Sequence, residues 1–318
     1  MNKLAVIALG GNALLRDNET GSIEDQEANA TATLQGLIYF INNGYQLVIT
    51  HGNGPQVGNI LMRNDAGEQL WSIPAMPLDI CVADSQGGIG YMIERCLRNV
   101  LIENNLLRDV LTLVTLVEVN QNDPVFQNPT KRIGKMVTAQ EAEQLSAAKA
   151  WKFKPDKKNE LFYRRVVASP MPLHIMNHDV IARNARSGFI VIAVGGGGVP
   201  VYRDEAGRLR TVDAVIDKDL ASALLARQIH ADELYILTDV PYIYLHYGTP
   251  RQQALRALDY ADAENYLSKG EFGEGSMAPK VRAAMQFIDN GGKQCVITDS
   301  ANIGKEGWGT RITRYYNS

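Results

Sequence analysis

The chain has 318 residues, 45% hydrophobic and 21% charged, which is ordinary for a globular protein and unlike a disordered chain or a coiled coil. Its 32 basic and 35 acidic side chains leave a formal charge of −3, which excludes a broadly basic nucleic-acid-binding surface. The 28 glycines make up about 9% of the chain against an average of about 7%. Their distribution carries more than their number.

In chain order, the run Leu4–Leu9 predicts a strand that ends in Gly10-Gly11-Asn12-Ala13. It is too short for the core of a secretory signal. Leu34, Leu37, Ile38 and Ile41 follow a helical period that stops at Gly44. The run 46–50 predicts a second strand, which leads into His51-Gly52-Asn53-Gly54-Pro55. The apolar run 111–119 predicts another. From 120 to 170 the rhythm breaks into a polar insertion rich in Lys, Glu and Pro, with Trp151, Phe153, Phe162 and Tyr163. A short helix at 139–148 and a hairpin are expected inside it, and an insertion of this length reads as a lid. The run 189–194 predicts a strand opening onto Gly195-Gly196-Gly197-Gly198. Ile216, Leu220, Ala223 and Leu224 predict a helix, and the runs 234–238 and 294–298 predict strands. Val281, Ala284, Met285 and Ile288 predict a helix that begins near Pro279 and ends before Gly291.

The strands are continuous apolar runs, as expected when both faces of a parallel sheet are buried. Alternation with helices gives a three-layer αβα sandwich. No apolar stretch approaches the roughly 18 residues of a membrane span. Cys81, Cys96 and Cys295 have no metal-ligand or disulfide spacing, so a reducing, cytoplasmic setting is expected.

Three glycine-rich turns therefore follow strand ends, where an open parallel sheet binds its ligands. Glycine there lets backbone amides approach an anion closely. Neither G-x-G-x-x-G after the first strand nor G-x-x-x-x-G-K-[ST] is present, and the protein-kinase motifs are missing. Any phosphate chemistry uses another scaffold.

Several segments carry a resemblance. They include Ala8-Leu9-Gly10-Gly11-Asn12-Ala13, His51-Gly52-Asn53-Gly54-Pro55-Gln56, Ser85-Gln86-Gly87 and Pro129-Thr130-Lys131. Further along come Arg164-Arg165-Val166-Val167, Gly195 to Pro200, Ile216-Asp217-Lys218-Asp219 and Gly275-Ser276-Met277-Ala278-Pro279-Lys280. In this order, over nearly the whole chain, they resemble the carbamate kinases of the amino-acid kinase superfamily. The resemblance implies one open αβα domain around a mainly parallel sheet of about eight strands. Within it, 1–119 with 171–200 would form the acceptor lobe, 120–170 a protruding lid, and 201–318 the nucleotide lobe. It implies reversible phosphoryl transfer between ATP and carbamate, giving ADP and carbamoyl phosphate. It also implies a homodimer, magnesium carried on the nucleotide, no metal held by protein side chains, and a catabolic role such as arginine breakdown. No nucleic-acid or membrane partner is expected.

By the same resemblance, Lys131, Lys218, Asp219 and Lys280 are the catalytic group. Phosphoryl transfer between two anions needs positive charge and positioning, and Asp219 would hold two ammonium groups in register. Gly10, Gly11, Asn12, Gly52, Asn53, Gly195, Gly196 and Gly197 would bind the substrate and its phosphoryl oxygens. Thr238, Asp239, Tyr244, Gly275, Ser276 and Met277 would bind the nucleotide. His51 reads as structural, because carbamate needs no deprotonation. His174, His178, His230 and His246 lack metal-ligand spacing. The chain departs from the family pattern at Asp84, Arg132, Phe162 and Pro241-Tyr242. Those departures keep two alternatives open: another small carboxylate as acceptor, or a non-catalytic sensor on the same scaffold.

Overall fold

A computed structural model describes every residue except 1, 16–18, 20, 157–158, 306 and 316–318. Eight strands form the main sheet. Across it the order is Ala257–Asp259, Thr310–Thr313, Gln294–Asp299, Glu233–Thr238, Leu4–Leu9, Gln46–His51, Ile190–Ile192 and Val110–Thr112. Only the pairing of Gln294–Asp299 with Thr310–Thr313 is antiparallel.

The continuous apolar strands are explained by two cores, one on each face. Leu4, Val6 and Ala8 join the core under the helices Lys218–Gln228 and Met277–Asp289. Ala5, Ile7 and Leu9 join the opposite core under Ile23–Gly36 and Leu78–Glu103. All six side chains are fully buried, so alternation had no exposed face on which to show. The expected αβα sandwich is therefore present, with eight strands.

Three expectations are sharpened. The apolar run 111–119 is two strands, Val110–Thr112 in the main sheet and Leu116–Val119 in a separate four-stranded sheet. Buried Gln86 separates them: its carboxamide accepts from the Thr115 amide (2.9 Å) and donates to the Thr115 carbonyl (3.2 Å). The helical period 34–41 belongs to two helices, Ile23–Gly36 and Ile38–Asn42, which meet at Leu37. The helix expected around Ile216 starts at Lys218, because the Asp217 side chain accepts from the amides of Asp219 and Leu220 and caps it.

The insertion forms a small subdomain. Strands Lys131–Val137, Tyr163–Val167 and Lys152–Pro155 make a three-stranded antiparallel sheet in that order, more than the single hairpin expected. The helix Ala139–Lys149 begins with a capping box between Thr138 and Glu141. No helix among the described residues is long and apolar enough to cross a membrane.

Candidate active site

The sheet's strand order turns around between Leu4–Leu9 and Glu233–Thr238. One chain half runs outward from Leu4–Leu9 and the other from its neighbour. Such a switch point opens a crevice at the carboxyl ends of the strands. The parallel pairing puts the turns after Leu9, His51, Ile192 and Thr238 along that one edge.

A cavity of about 290 Å³ lies there, lined on one side by Lys131, Arg132 and Ile133 of the inserted subdomain, the segment expected to be a lid and called the lid below. It brings together Gly11, Gly52, Asn53, Lys131, Gly196, Lys218, Asp219, Gly275, Ser276 and Lys280, residues spread over the chain from position 11 to position 280. Gly10, Gly195, Gly197, Thr238, Asp239, Tyr244 and Met277 do not line it. Thr238 donates instead to Asp239 at 2.9 Å, and Tyr244 lies among Tyr242 and Tyr247 with ring centroids 6.4 and 5.8 Å away. Asn12 lies in the turn Gly11–Ala13, and its side chain falls outside the described residues.

The electrostatic centre is Asp219, which is 4% exposed. Its Oδ1 accepts from Lys218 Nζ at 2.5 Å and its Oδ2 from Lys280 Nζ at 3.1 Å. Burial alone would raise this carboxyl's pKa. The two ammonium groups outweigh burial and hold it at about 2. Lys280 also donates to the Ser276 carbonyl at 3.3 Å. Lys131 enters from the first lid strand, with Nζ 3.5 Å from Asp217 Oδ2. Asn53 is buried and donates to Ser85 Oγ at 2.8 Å, which fixes the side chain beside Gly196.

His51 does not line the cavity. Its Nδ1 lies 2.9 Å from the Gly52 carbonyl, which can only accept, so Nδ1 carries the proton. Burial lowers the ring's pKa to about 4, with Lys218 nearby adding to the effect, so the imidazole is neutral. Its Nε2 abuts Gly195, where an added Cβ would strike it.

Sequence reasoning passed over Gln56 and Asp217, which also line the cavity. Both sit inside quoted motifs, but only the fold shows where they point. Gln56 is oriented by Gln26 at 2.8 Å. Arg132 lines the cavity too, yet its guanidinium donates to the Pro155 carbonyl at 2.8 and 3.1 Å within the lid. Among the described residues no group of three or more His, Cys, Asp or Glu could hold a metal ion. Asp217 and Asp219 are both already engaged by lysines.

Comparison with known proteins gives the family. The amino acid kinase family profile matches residues 3–299. A carbamate kinase from Pyrococcus horikoshii is 46% identical over 316 residues, spanning 98% of this chain and 100% of that protein. A carbamate kinase-like protein from Escherichia coli is 45% identical over 299 residues, 94% of each chain. The solved structure of carbamate kinase from Giardia lamblia bound to AMP-PNP superposes with a TM-score of 0.91 at 39% identity, covering 98% of both chains. A chain matched over this much of its length, with its glycine-rich turns and lysines gathered at one switch-point cavity, belongs to the amino acid kinase family and within it is similar to the carbamate kinases.

Proposed function

We propose that the chain is a carbamate kinase, interconverting ATP and carbamate with ADP and carbamoyl phosphate. The observation that carries this reading is the Lys218–Asp219–Lys280 array lining the switch-point cavity. A carbamate oxygen forms the new bond to the γ-phosphorus as the bond to the ADP oxygen breaks. The attacking oxygen is already anionic, so no general base is required and no proton changes place. The barrier is repulsion between two anions and the spread of charge over the transferring group. Preorganised cations offset both.

Lys218 and Lys280 supply that charge, and Asp219 keeps both ammonium groups separated and aimed. Lys131 adds a third cation from the lid. Gly11 and Gly196 offer backbone amides to the oxygens, Gly52, whose amide donates to the Leu9 carbonyl at 3.2 Å, lets the ligand approach closely, and Gly275 and Ser276 border the nucleotide phosphates. Magnesium enters on the nucleotide and neutralises part of its phosphate charge. We assign the acceptor to 1–119 with 171–200 and the nucleotide to 201–318, where Thr238, Asp239, Tyr244 and Met277 flank the route to the base. The direction toward ATP, in cytoplasmic catabolism of arginine or other nitrogen compounds, is part of the same proposal. A homodimer is supported by exposed Leu70, Trp71, Tyr91 and Ile102 on two neighbouring helices.

ATP formation from carbamoyl phosphate and Mg-ADP tests the reading. Lys280→Ala is expected to lower kcat about a hundredfold or more while the protein stays folded by circular dichroism. Absence of ATP formation by the folded wild type, or an unchanged rate in Lys280→Ala, would overturn it.

A further inference from the structure

Asp217 does two jobs with its two oxygens. Oδ1 accepts from the amides of Asp219 (2.9 Å) and Leu220 (3.4 Å), capping the helix Lys218–Gln228. Oδ2 lies 3.5 Å from Lys131 Nζ. Lys131 is the first residue of the lid strand Lys131–Val137, and the next two residues after Asp217 are Lys218 and Asp219. A single carboxylate therefore spans from the lid to the helix that carries the cation array. The backbone meets at the same place: the Val215 amide donates to the carbonyl of Ala168, which follows the lid strand Tyr163–Val167.

Magnitude separates a structural role from a functional one. The Lys131 side chain is 40% exposed and that of Asp217 24%. An ion pair so open to water adds little to folding stability. What it changes is position. An unpaired lysine samples many rotamers, whereas one tethered at its ammonium keeps its charge at the cavity rim. Resting on the kinase reading above, we infer that Asp217 is a positioning residue. One oxygen sets the helix that bears Lys218 and Asp219, and the other holds the lid's Lys131 over the cavity.

Asp217→Asn separates the two jobs. Asparagine caps a helix as well as aspartate does. Its remaining amide group would then face the Lys131 ammonium, donor against donor. The test is a double-mutant cycle of wild type, Asp217→Asn, Lys131→Met and the pair. Asp217→Asn is expected to lower kcat/KM for ATP formation about tenfold when Lys131 is present and less than about twofold in Lys131→Met. Equal losses in both backgrounds would overturn the inference. Hydrogen exchange without substrate gives a second readout. Asp217→Asn is expected to speed exchange along Lys131–Val137 while Lys218–Gln228 stays protected. Unchanged exchange in that lid strand would also overturn it. A wild type that forms no ATP defeats the kinase reading, and the exchange experiment still decides whether Asp217 holds Lys131.

Discussion

Asp219 and His51 are both buried and titratable, and their surroundings push both below their ordinary pKa, in opposite senses of charge. Asp219 is kept charged, because two lysines outweigh the cost of burial, so it stays a carboxylate throughout the working pH range. His51 is kept neutral, because burial has no opposing carboxylate to answer it. The sign for His51 follows from linkage. Its folded pKa of about 4 lies below the ordinary 6.5, so between those values the unfolded chain binds the extra proton. The stability is fully present above 6.5 and is lost as pH falls toward 4. From pH 7.5 to pH 5 this one residue should cost about 2 kcal/mol. Urea unfolding of wild type and His51→Gln at both pH values checks it. The wild type is expected to lose about 2 kcal/mol more than the variant across that interval, and parallel losses would refute the assignment. The sequence made a structural reading of His51 legible through chemistry, since the attacking carbamate oxygen is already anionic and needs no base. It could not show which ring nitrogen meets the Gly52 carbonyl, because that depends on how the following turn folds.

At the scale of elements, the turn after Ile190–Ile192 shows why its glycines are needed. Val194 has φ +54°, a left-handed conformation that a β-branched residue adopts at a cost, and its amide is held by Thr115 Oγ1 at 3.0 Å. Gly196 follows with φ +65°, and an added Cβ would strike the buried Asn53 amide. Gly10 has an ordinary φ of −71° but lies so close to the Leu237 carbonyl that a Cβ has no room. Gly11, by contrast, has no atom within 4 Å of where a Cβ would stand. The three should therefore fail differently when changed to alanine. Gly196→Ala and Gly10→Ala are expected to destabilise folding by about 2 kcal/mol or more, read as a lowered thermal midpoint. Gly11→Ala should melt like wild type yet raise the KM for carbamoyl phosphate several-fold, because its methyl group projects where the ligand must approach. A lowered midpoint with unchanged KM would remove Gly11 from the binding surface. The glycine clusters and strand runs were readable because buried parallel strands leave unbroken apolar words. The division of 111–119 was not, because the separating group is the side chain of Gln86, distant in sequence.

Across the whole molecule, the site exists only because the topology reverses between Leu4–Leu9 and Glu233–Thr238, and strand order is not written in any local pattern. The lid is the second global feature. Its polar composition marked an insertion, but not the ion pairs that fasten it. Arg165 on the strand Tyr163–Val167 donates to both oxygens of Asp213 at 3.0 and 2.8 Å, and its guanidinium lies 4.0 Å from the Trp151 ring centre. Lys149, at the end of the lid helix, reaches Glu68 at 2.6 Å on the helix Gly54–Trp71. These contacts belong to the insertion and its rim, and two of its side chains, Ile133 and Val167, also share a small apolar core with Val57, Leu78, Val82 and Val215 of the body. Breaking the Arg165 contacts alone leaves that small core and both large cores in place. The Arg165 side chain is 11% exposed but Asp213 is 59%, so the pair is discounted for solvent, and Arg165→Ala should weaken lid attachment by about 1–2 kcal/mol. The expected result is faster proteolysis within 120–170 and a several-fold lower kcat/KM, with the thermal midpoint within about 4 °C of wild type. If the midpoint instead falls steeply and cleavage spreads through the main sheet, the insertion is part of the cooperative core.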